Sequence, residues 1–227
     1  MQNFTLSLKN ISKNFGSKAV LDNADLLLKS GEITSIVSPN GKGKTVTVNI
    51  IAGFMSQNSG EVVFSKGLDF KDVSVVFGGD KNLYLKNTVE ENLYYFAMLK
   101  GLNKKEIAEN IEKYKKFIAD YDTMKNTLCE KLSYGQKRMA AIFVSLITES
   151  KIIILDEAME GLDQKNINLI ASGLKNIKNE RIIIICSHDY SFVESISDEV
   201  YFLKDRKFSP IKTEESLREA FLTAYGD

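Results

Sequence analysis

The chain carries the segment Ser38-Pro39-Asn40-Gly41-Lys42-Gly43-Lys44-Thr45 between an apolar run, Ile33–Val37, and a helix-like stretch, Val46–Ala52. A strand, a glycine-rich turn and a helix in this order are typical of a phosphate-binding loop, in which backbone N–H groups and a positive helix N-terminus surround an anion. Lys44 would neutralise β- and γ-phosphate oxygens, and the Thr45 hydroxyl would coordinate Mg²⁺. A glycine-rich turn that merely opens a helix is the alternative; the flanking strand and helix favour phosphate binding.

Two further apolar runs end in polar residues suited to catalysis. Ile152–Leu155 leads into Asp156-Glu157, and Ile182–Cys186 leads through Ser187 to His188, the only histidine. Such runs, which do not alternate, predict strands buried on both faces of a parallel sheet, and ligands of these sheets bind beyond the carboxyl ends of the strands. We therefore expect both polar clusters to face one crevice. Because every strand must end in a polar turn, a purely structural His188 remains an alternative.

Length, charge and cysteine content narrow the class of protein. A chain of 227 residues predicts one or two domains, and no apolar stretch approaches the roughly 20 residues that span a bilayer. Met1–Leu8 alternates like a strand and does not resemble a signal peptide, so we expect a cytoplasmic chain. The 30 basic and 30 acidic residues cancel, and no nucleic-acid partner is expected. Cys129 and Cys186 are too few and too isolated for a disulfide scaffold or a zinc site.

The pattern along the chain indicates one α/β core with two additions. Phe4–Leu28 predicts short antiparallel strands broken at residues 14–17. The core sheet begins at Ile33, and Glu61–Phe64 and Val73–Phe77 follow as strands. Residues 88–148 contain no convincing strand and predict a helical insertion, with one helix ending before Gly101 and a second over Lys104–Ile118.

The signature segment, Leu132-Ser133-Tyr134-Gly135-Gln136-Lys137-Arg138, precedes an apolar helix, Met139–Ile147. Ser133 and Gly135 would lie at a helix N-terminus, where a hydroxyl and free N–H groups can receive a phosphate. On its own, Ser133 is better explained as an N-cap. With the phosphate loop before it and the two polar strand ends after it, the segment closely resembles the signature sequence of ABC-type ATPases, and the resemblance extends over essentially the whole chain.

The resemblance implies a single ABC ATPase domain over residues 1–227. We expect a P-loop NTPase core with a mainly parallel sheet, an N-terminal antiparallel β layer and an α-helical insertion subdomain. The β layer and core would occupy 1–87 and 149–227, and the helical subdomain 88–148.

The resemblance also assigns roles residue by residue. Phe15 is similar to the aromatic residue that stacks on adenine, although it could simply plug the β layer. Asp156 is similar to the aspartate that holds Mg²⁺, with Thr45, and Glu157 to the general base. His188 is similar to the histidine that senses the γ-phosphate, and residues 161–163 to the loop that crosses to the partner site. The nucleotide-binding set is Phe15, Ser38, Asn40, Gly41, Lys42, Gly43, Lys44, Thr45, Val46, Ser133, Gly135 and Gln136.

Three positions depart from the family pattern. Gly78-Gly79-Asp80 stands where the family usually has the glutamine that connects the γ-phosphate and Mg²⁺ to the membrane partner. We therefore expect the coupling either to work differently or to use backbone and water. Tyr134 replaces the first glycine of the signature, and Ala158-Met159 replaces the usual Pro-Thr. None of these changes removes Lys44, Asp156, Glu157 or His188, so an active ATPase is expected.

The resemblance implies an ATP- and Mg²⁺-dependent subunit that works as a homodimer or heterodimer of ATPase subunits. It would lie on the inner face of the cell membrane and power a separately encoded transmembrane permease. Residues 82–102 look most like ATPase subunits of ABC-2-type exporters, and Tyr84, Tyr94 and Tyr95 are candidates for a docking groove, with burial in the core as the alternative. A soluble ABC ATPase without a membrane partner and a regulatory nucleotide sensor are the other two hypotheses.

Overall fold

The computed structural model describes residues 4–65, 67–79, 82–211 and 216–226. Within that part of the chain the strands are β1 (Thr5–Phe15), β2 (Lys18–Lys29), β3 (Ile33–Val37), β4 (Ser59–Phe64), β5 (Val73–Phe77), β6 (Ile152–Asp156), β7 (Ile182–Cys186), β8 (Glu199–Lys204) and β9 (Lys207–Pro210). The α-helices are α1 (Lys44–Ile51), α2 (Val89–Leu99), α3 (Lys104–Tyr114), α4 (Tyr121–Met124), α5 (Tyr134–Ile147), α6 (Gln164–Ile177), α7 (Tyr190–Ile196) and α8 (Leu217–Tyr225).

The core is a six-stranded sheet in the order β5-β6-β7-β3-β8-β9. All neighbouring strands are parallel except β8 and β9, which form an antiparallel hairpin. Every residue of β3, β6 and β7 is buried, as the apolar runs of β6 and β7 predict, and β3 also buries the polar residues Thr34 and Ser35. Asp156 pairs with Cys186 on one side and with Phe77 on the other. The carboxyl ends of three strands therefore meet at one edge.

A separate antiparallel sheet, in the order β2-β1-β4, covers one face of this core. Apolar residues of β1 and β2, such as Leu6 and Leu28, share a buried cluster with Val48 of α1 and Ile154 of β6. The opposite face of the core sheet packs against helices, and Phe143 of α5 lies in that second cluster. The phosphate-loop helix α1 is thus enclosed between the two sheets.

Local sequence signals explain where several helices begin. Thr88, Asn103 and Ser133 each accept a hydrogen bond from a backbone N–H three residues further on. The side chain of the Glu or Gln at that later position accepts a hydrogen bond from the backbone N–H of the capping residue. Each helix therefore begins with a capping box. Among the described residues, no helix is both long and apolar enough to cross a membrane.

The predicted α/β fold class, with its antiparallel layer and helical insertion, is confirmed, and four details differ. The strand at residues 59–64 pairs with β1 and lies outside the core sheet. The N-terminal strands are long rather than short, and they turn only at Gly16-Ser17. The second helix of the insertion ends at Tyr114 and continues as a 3-10 turn to Phe117. No element was predicted after His188, where two strands and two helices lie. Asp80 and residues 1–3 lie outside the described residues.

Candidate active site

One cavity of about 410 Å³ opens where the antiparallel sheet meets the carboxyl edge of the core sheet. Its walls come from the β1–β2 turn, the loop between β3 and α1, and the end of β6. The lining residues are Phe15, Lys18, Val20, Asn40, Gly41, Gly43, Lys44, Thr45, Val46, Asp156 and Glu157. Nine of the predicted site residues are therefore gathered around one space, although they come from three distant parts of the sequence.

The phosphate loop ends at Gly43, which caps α1 with a φ of 116°. A side chain is excluded there, because a Cβ atom would lie 2.8 Å from Cγ1 of Val20. No side chain caps the helix, so the first N–H groups of α1 have no capping acceptor. A helix N-terminus of this kind can receive an anion.

Lys44 is the cation at the base of the cavity. Only 6 % of the residue is exposed, and its Nζ atom donates a hydrogen bond of 2.6 Å to the carbonyl oxygen of Ser38. The same Nζ lies 3.8 Å from Oε1 of Glu157. Ser38 therefore contributes a carbonyl that positions the lysine, and Lys42 lines a neighbouring cavity instead.

Thr45 and Asp156 form a pair across the cavity floor. The Thr45 hydroxyl donates a hydrogen bond of 3.0 Å to Oδ2 of Asp156. The other carboxylate oxygen, Oδ1, is buried and has no hydrogen-bond partner among the described residues. Burial raises the pKa of Asp156 above its ordinary value, and the negative charge of Glu157 raises it further, against the hydrogen bond from Thr45 and the charge of Lys44. An unpartnered, desolvated carboxylate oxygen beside a hydroxyl favours a hard cation.

Glu157 follows directly and has a left-handed backbone with a φ of 53°. This conformation is costly for a residue with a side chain. It is held by a hydrogen bond of 2.8 Å from the Glu157 N–H to the carbonyl oxygen of Cys186. The carboxylate in turn reaches the imidazole of His188, with Oε2 at 2.8 Å from Nδ1. The strained backbone therefore points Glu157 at both Lys44 and His188.

Phe15 lies at the end of β1, on the outer wall of the cavity. Its ring is not packed inside the β layer, since 47 % of the residue is exposed. The ammonium group of Lys13 lies 5.2 Å from the ring centroid. The ring therefore offers a free aromatic face to a planar ligand.

The signature residues lie in a different cavity, of about 580 Å³, which Gly161, Leu162 and Asp163 also line. Ser133 Oγ accepts the N–H of Gln136, and Gln136 Oε1 accepts the N–H of Ser133, so both form the capping box of α5. A Cβ atom at Gly135 would lie 3.3 Å from the carbonyl oxygen of Gly161. Within one chain, Ser133, Gly135 and Gln136 do not join the cavity that contains Lys44.

The sequence did not indicate several residues of the two regions. Lys18 and Val20 line the first cavity from β2, where Val20 approaches Gly43 closely. Arg138 is buried with 1 % exposure and binds backbone of the loop after β5, which its place in the signature segment did not predict. Ala158 and Met159 are buried in the core and contribute no polar group.

Comparison with known proteins identifies the family. The family model described as ABC transporter matches residues 21–160. The chain is 32 % identical over 205 residues to an uncharacterized ABC transporter ATP-binding protein of Methanocaldococcus jannaschii, covering 89 % of this chain and 75 % of that protein. It is 30 % identical to the tungstate uptake system ATP-binding protein TupC of Peptoclostridium acidaminophilum, covering 88 % and 94 %.

The same architecture is found in a solved structure described as the ATP binding subunit of an ABC transporter. The TM-score is 0.84 at 22 % identity, and the match covers 97 % of this chain and 94 % of the other. This likeness shows the fold, and the sequence matches show the family. The chain belongs to the ABC transporter family, as one of its ATP-binding ATPase subunits.

Proposed function

We propose that this chain binds ATP with Mg²⁺ in the cavity at the carboxyl edge of the core sheet. Hydrolysis there would drive a separately encoded membrane permease. The observation that carries the proposal is the connected set of contacts from Lys44 through Glu157 to His188, beside the pair of Thr45 and Asp156. These residues come from three segments of the sequence. Lys44, Thr45, Asp156 and Glu157 line one cavity, and His188 contacts Glu157.

Thr45 and Asp156 are the residues that would hold Mg²⁺. The described residues contain no group of three or more His, Cys, Asp or Glu side chains able to hold a metal on their own, so nucleotide and water oxygens would complete the coordination. The ion would neutralise developing charge on the β- and γ-phosphate oxygens.

The carboxylate of Glu157 is the general base in this proposal. It accepts a proton from water as the water oxygen bonds to the γ-phosphorus, and the bond from that phosphorus to the bridging oxygen breaks. ADP and phosphate are the products. His188 orients Glu157 through the 2.8 Å contact, and Lys44 and the open N-terminus of α1 bind the phosphates.

We further propose that two ATPase subunits, identical or not, assemble head to tail around ATP. Ser133 and Gly135 lie at the N-terminus of α5, in a cavity separate from the one that contains Lys44. A partner's signature segment would then complete each nucleotide site. In this organisation the single domain over 1–227 consists of the core and β layer plus a helical subdomain over 88–148.

The permease would dock on a groove of about 520 Å³ between β5 and the helices α2 and α5. Phe96, Leu99 and Val76 line it, and Tyr84 and Tyr95 are 50 % and 40 % exposed close by. Their rings lie 4.9 Å apart at 77°. Tyr94 packs partly buried against the core, so it serves the fold rather than docking. Docking there would hold the subunit on the inner face of the membrane.

Export is the direction we propose, because residues 82–102 resemble exporter subunits. Import is the second candidate, which the relative TupC favours since its name states tungstate uptake. Proteoliposomes that contain the permease encoded beside this chain, with the chain and ATP outside, distinguish the two. Accumulation of labelled solute inside supports export, and loss of preloaded solute supports import.

Steady-state hydrolysis of ATP by the purified chain tests the central proposal. Lys44→Ala is expected to weaken ATP binding about tenfold to a hundredfold, because it removes one charge-assisted contact to the phosphates. Glu157→Gln is expected to bind ATP and not turn it over. Wild-type ATP affinity in Lys44→Ala would contradict the site. ATP binding without turnover in the unmodified chain would favour a nucleotide sensor, and turnover that no membrane partner alters would favour a soluble ATPase.

A further inference from the structure

Arg138, on the second turn of α5, is a buried cation directed at the loop after β5. One Nη atom donates hydrogen bonds to the carbonyl oxygens of Phe77 and Gly79, at 2.6 and 3.1 Å. The other donates to the hydroxyl of Tyr134 at 2.6 Å, and the guanidinium lies 4.9 Å from the centroid of the Tyr134 ring. Tyr134 and Arg138 thus form one unit at the start of the signature helix.

A second buried arginine shows what is unusual about the first. Arg181 also donates to a tyrosine hydroxyl, that of Tyr114, at 2.8 Å, and it lies 5.4 Å from the ring. Arg181 has a carboxylate partner, Glu149, at 3.4 Å. Among the described residues no carboxylate lies within ion-pair distance of Arg138. Among the described residues Arg138 is bound by neutral groups only, and a buried cation is costly unless it is paired, so Arg138 is not an obvious source of stability.

The carbonyl oxygens that Arg138 binds do not require it either. The side-chain amide of Asn82 donates to the carbonyl of Phe77 at 2.7 Å and to that of Gly79 at 3.2 Å. Both oxygens would keep a donor if the guanidinium were removed. The contacts of Arg138 therefore serve the position of the loop rather than the satisfaction of its backbone.

The unit touches the two segments that border the catalytic end of the cavity. A Cβ atom placed on Gly78 would lie 3.5 Å from Cβ of Glu157 and 3.8 Å from an Nη atom of Arg138. The backbone of Gly78 therefore separates the guanidinium from the carboxylate residue. On the other side, the Tyr134 ring occupies the space that Gly161 leaves, since a Cβ atom there would lie 2.6 Å from two ring carbons.

We propose that Tyr134 and Arg138 are positioning residues for ATP hydrolysis. Arg138 holds the Gly78-Gly79 loop against Glu157, and Tyr134 connects that loop to the signature helix and to Gly161. Gly78 and Gly79 have no side chain that could connect their loop to its surroundings. In this chain the side chains of Tyr134 and Arg138, on α5, supply that connection. The inference rests on the proposed hydrolysis at Glu157 and goes beyond it.

Three variants of the full chain test it by steady-state kinetics: Tyr134→Phe, Arg138→Met and Arg138→Lys. Tyr134→Phe and Arg138→Met are expected to lower kcat about tenfold to a hundredfold, since misplacement of a catalytic group by about 1 Å can cost up to a hundredfold. In Arg138→Met, KM and ATP affinity are expected to stay within twofold, because Arg138 lines neither the cavity of Lys44 nor that of Ser133. Arg138→Lys keeps the positive charge and is expected to have a higher kcat than Arg138→Met.

Thermal unfolding separates positioning from a purely structural role. Replacement of a buried guanidinium, bound by neutral groups among the described residues, by Met is expected to leave Tm unchanged or to raise it, while kcat falls. Tyr114→Phe is the matched control, because it removes the same kind of Arg–Tyr hydrogen bond far from the cavity, and it is expected to leave kcat unchanged.

Each outcome decides one of the two proposals. Wild-type kcat in both Tyr134→Phe and Arg138→Met overturns the positioning role, as does a fall in kcat that only follows a fall in Tm. An equal loss in Tyr114→Phe also overturns it. If the unmodified chain hydrolyses no ATP, the proposed function fails first and this inference fails with it.

Discussion

The imidazole Nδ1 of His188 lies 2.8 Å from Oε2 of Glu157, although the two residues follow different strands of the core sheet. The contact exists because β6 and β7 are parallel neighbours whose last residues, Asp156 and Cys186, are paired. The backbone of Glu157 is in the left-handed conformation, and its N–H donates a hydrogen bond to the carbonyl oxygen of Cys186. The imidazole therefore has a defined partner in addition to any phosphate it would reach.

Substitution of His188 tests whether its contact with Glu157 contributes to hydrolysis. We expect His188→Ala to retain ATP affinity within about twofold and to lower kcat about tenfold to a hundredfold, because the orientation of the base is lost and binding groups are untouched. His188→Gln can still donate to Glu157 and should retain more activity than the alanine variant. Unchanged turnover in both variants would indicate that His188 is only a polar residue that follows the end of a strand.

Asp156→Asn should raise the thermal stability of the nucleotide-free chain at neutral pH. Burial raises the pKa of Asp156, so the folded state binds this proton more tightly than the unfolded state does. The charged carboxylate therefore lowers stability most at pH values above its folded pKa, and this effect disappears below about 3.9, the ordinary value for aspartate. The gain in Tm from asparagine, measured by calorimetry, should shrink as the pH falls from 8 to 4. A gain in Tm that does not change with pH, or a lower Tm of Asp156→Asn at pH 8, would contradict the raised pKa of Asp156.

The two glycines after β5 are expected to respond differently to glutamine. At Gly78 a Cβ atom would meet its neighbours at 3.5 to 3.8 Å, which is ordinary contact, so Gly78→Gln should fold and raise basal turnover. Gly79 has a φ of 89°, and Gly79→Gln should lose about 1–2 kcal/mol of stability from backbone strain. Gly79→Ala is the control, because it carries the strain without the amide. Failure of both glutamine variants to fold would show that the glycines serve the backbone and that the coupling argument is wrong.

Assembly around ATP is tested with Glu157→Gln, which keeps the shape of the site and removes the base. With ATP and Mg²⁺ this variant is expected to shift from monomer towards dimer in light scattering. The added substitution Ser133→Arg should reverse the shift, because it blocks the N-terminus of α5. Ser172→Arg, on the exposed face of α6, is the matched control and should not. A dimer insensitive to both ATP and Ser133→Arg would defeat the proposal.

Local physical chemistry was enough to predict several elements from the sequence. The apolar runs at residues 152–155 and 182–186 predict strands buried on both faces, and the glycine-rich turn before Lys44 predicts the start of a helix. The helices after Thr88 and Asn103 begin at capping boxes whose members lie three residues apart. The exact roles of Phe15, Glu157 and His188 stay predictions, although their positions agree with them.

Other features depend on contacts between residues far apart in the chain. The strand at 59–64 joins the antiparallel sheet because it pairs with β1, and its sequence alone is compatible with either sheet. The positions of Lys18 and Val20 in the cavity wall arise only when β2 packs against Gly43.

The sequence by itself determined the phosphate loop, the buried parallel strands and the order of the motifs, since each depends on neighbours a few residues away. Only the tertiary structure decided that Lys44, Glu157 and His188 touch, because that requires the strand order of the core sheet. In the sequence, Tyr134 is a departure from the family pattern. Only the tertiary structure showed that its hydroxyl accepts a hydrogen bond from the buried Arg138, which also binds the carbonyl oxygen of Gly79. Phe77 and Gly79 lie 61 and 59 residues from Arg138 in the chain, so no local pattern specifies these contacts.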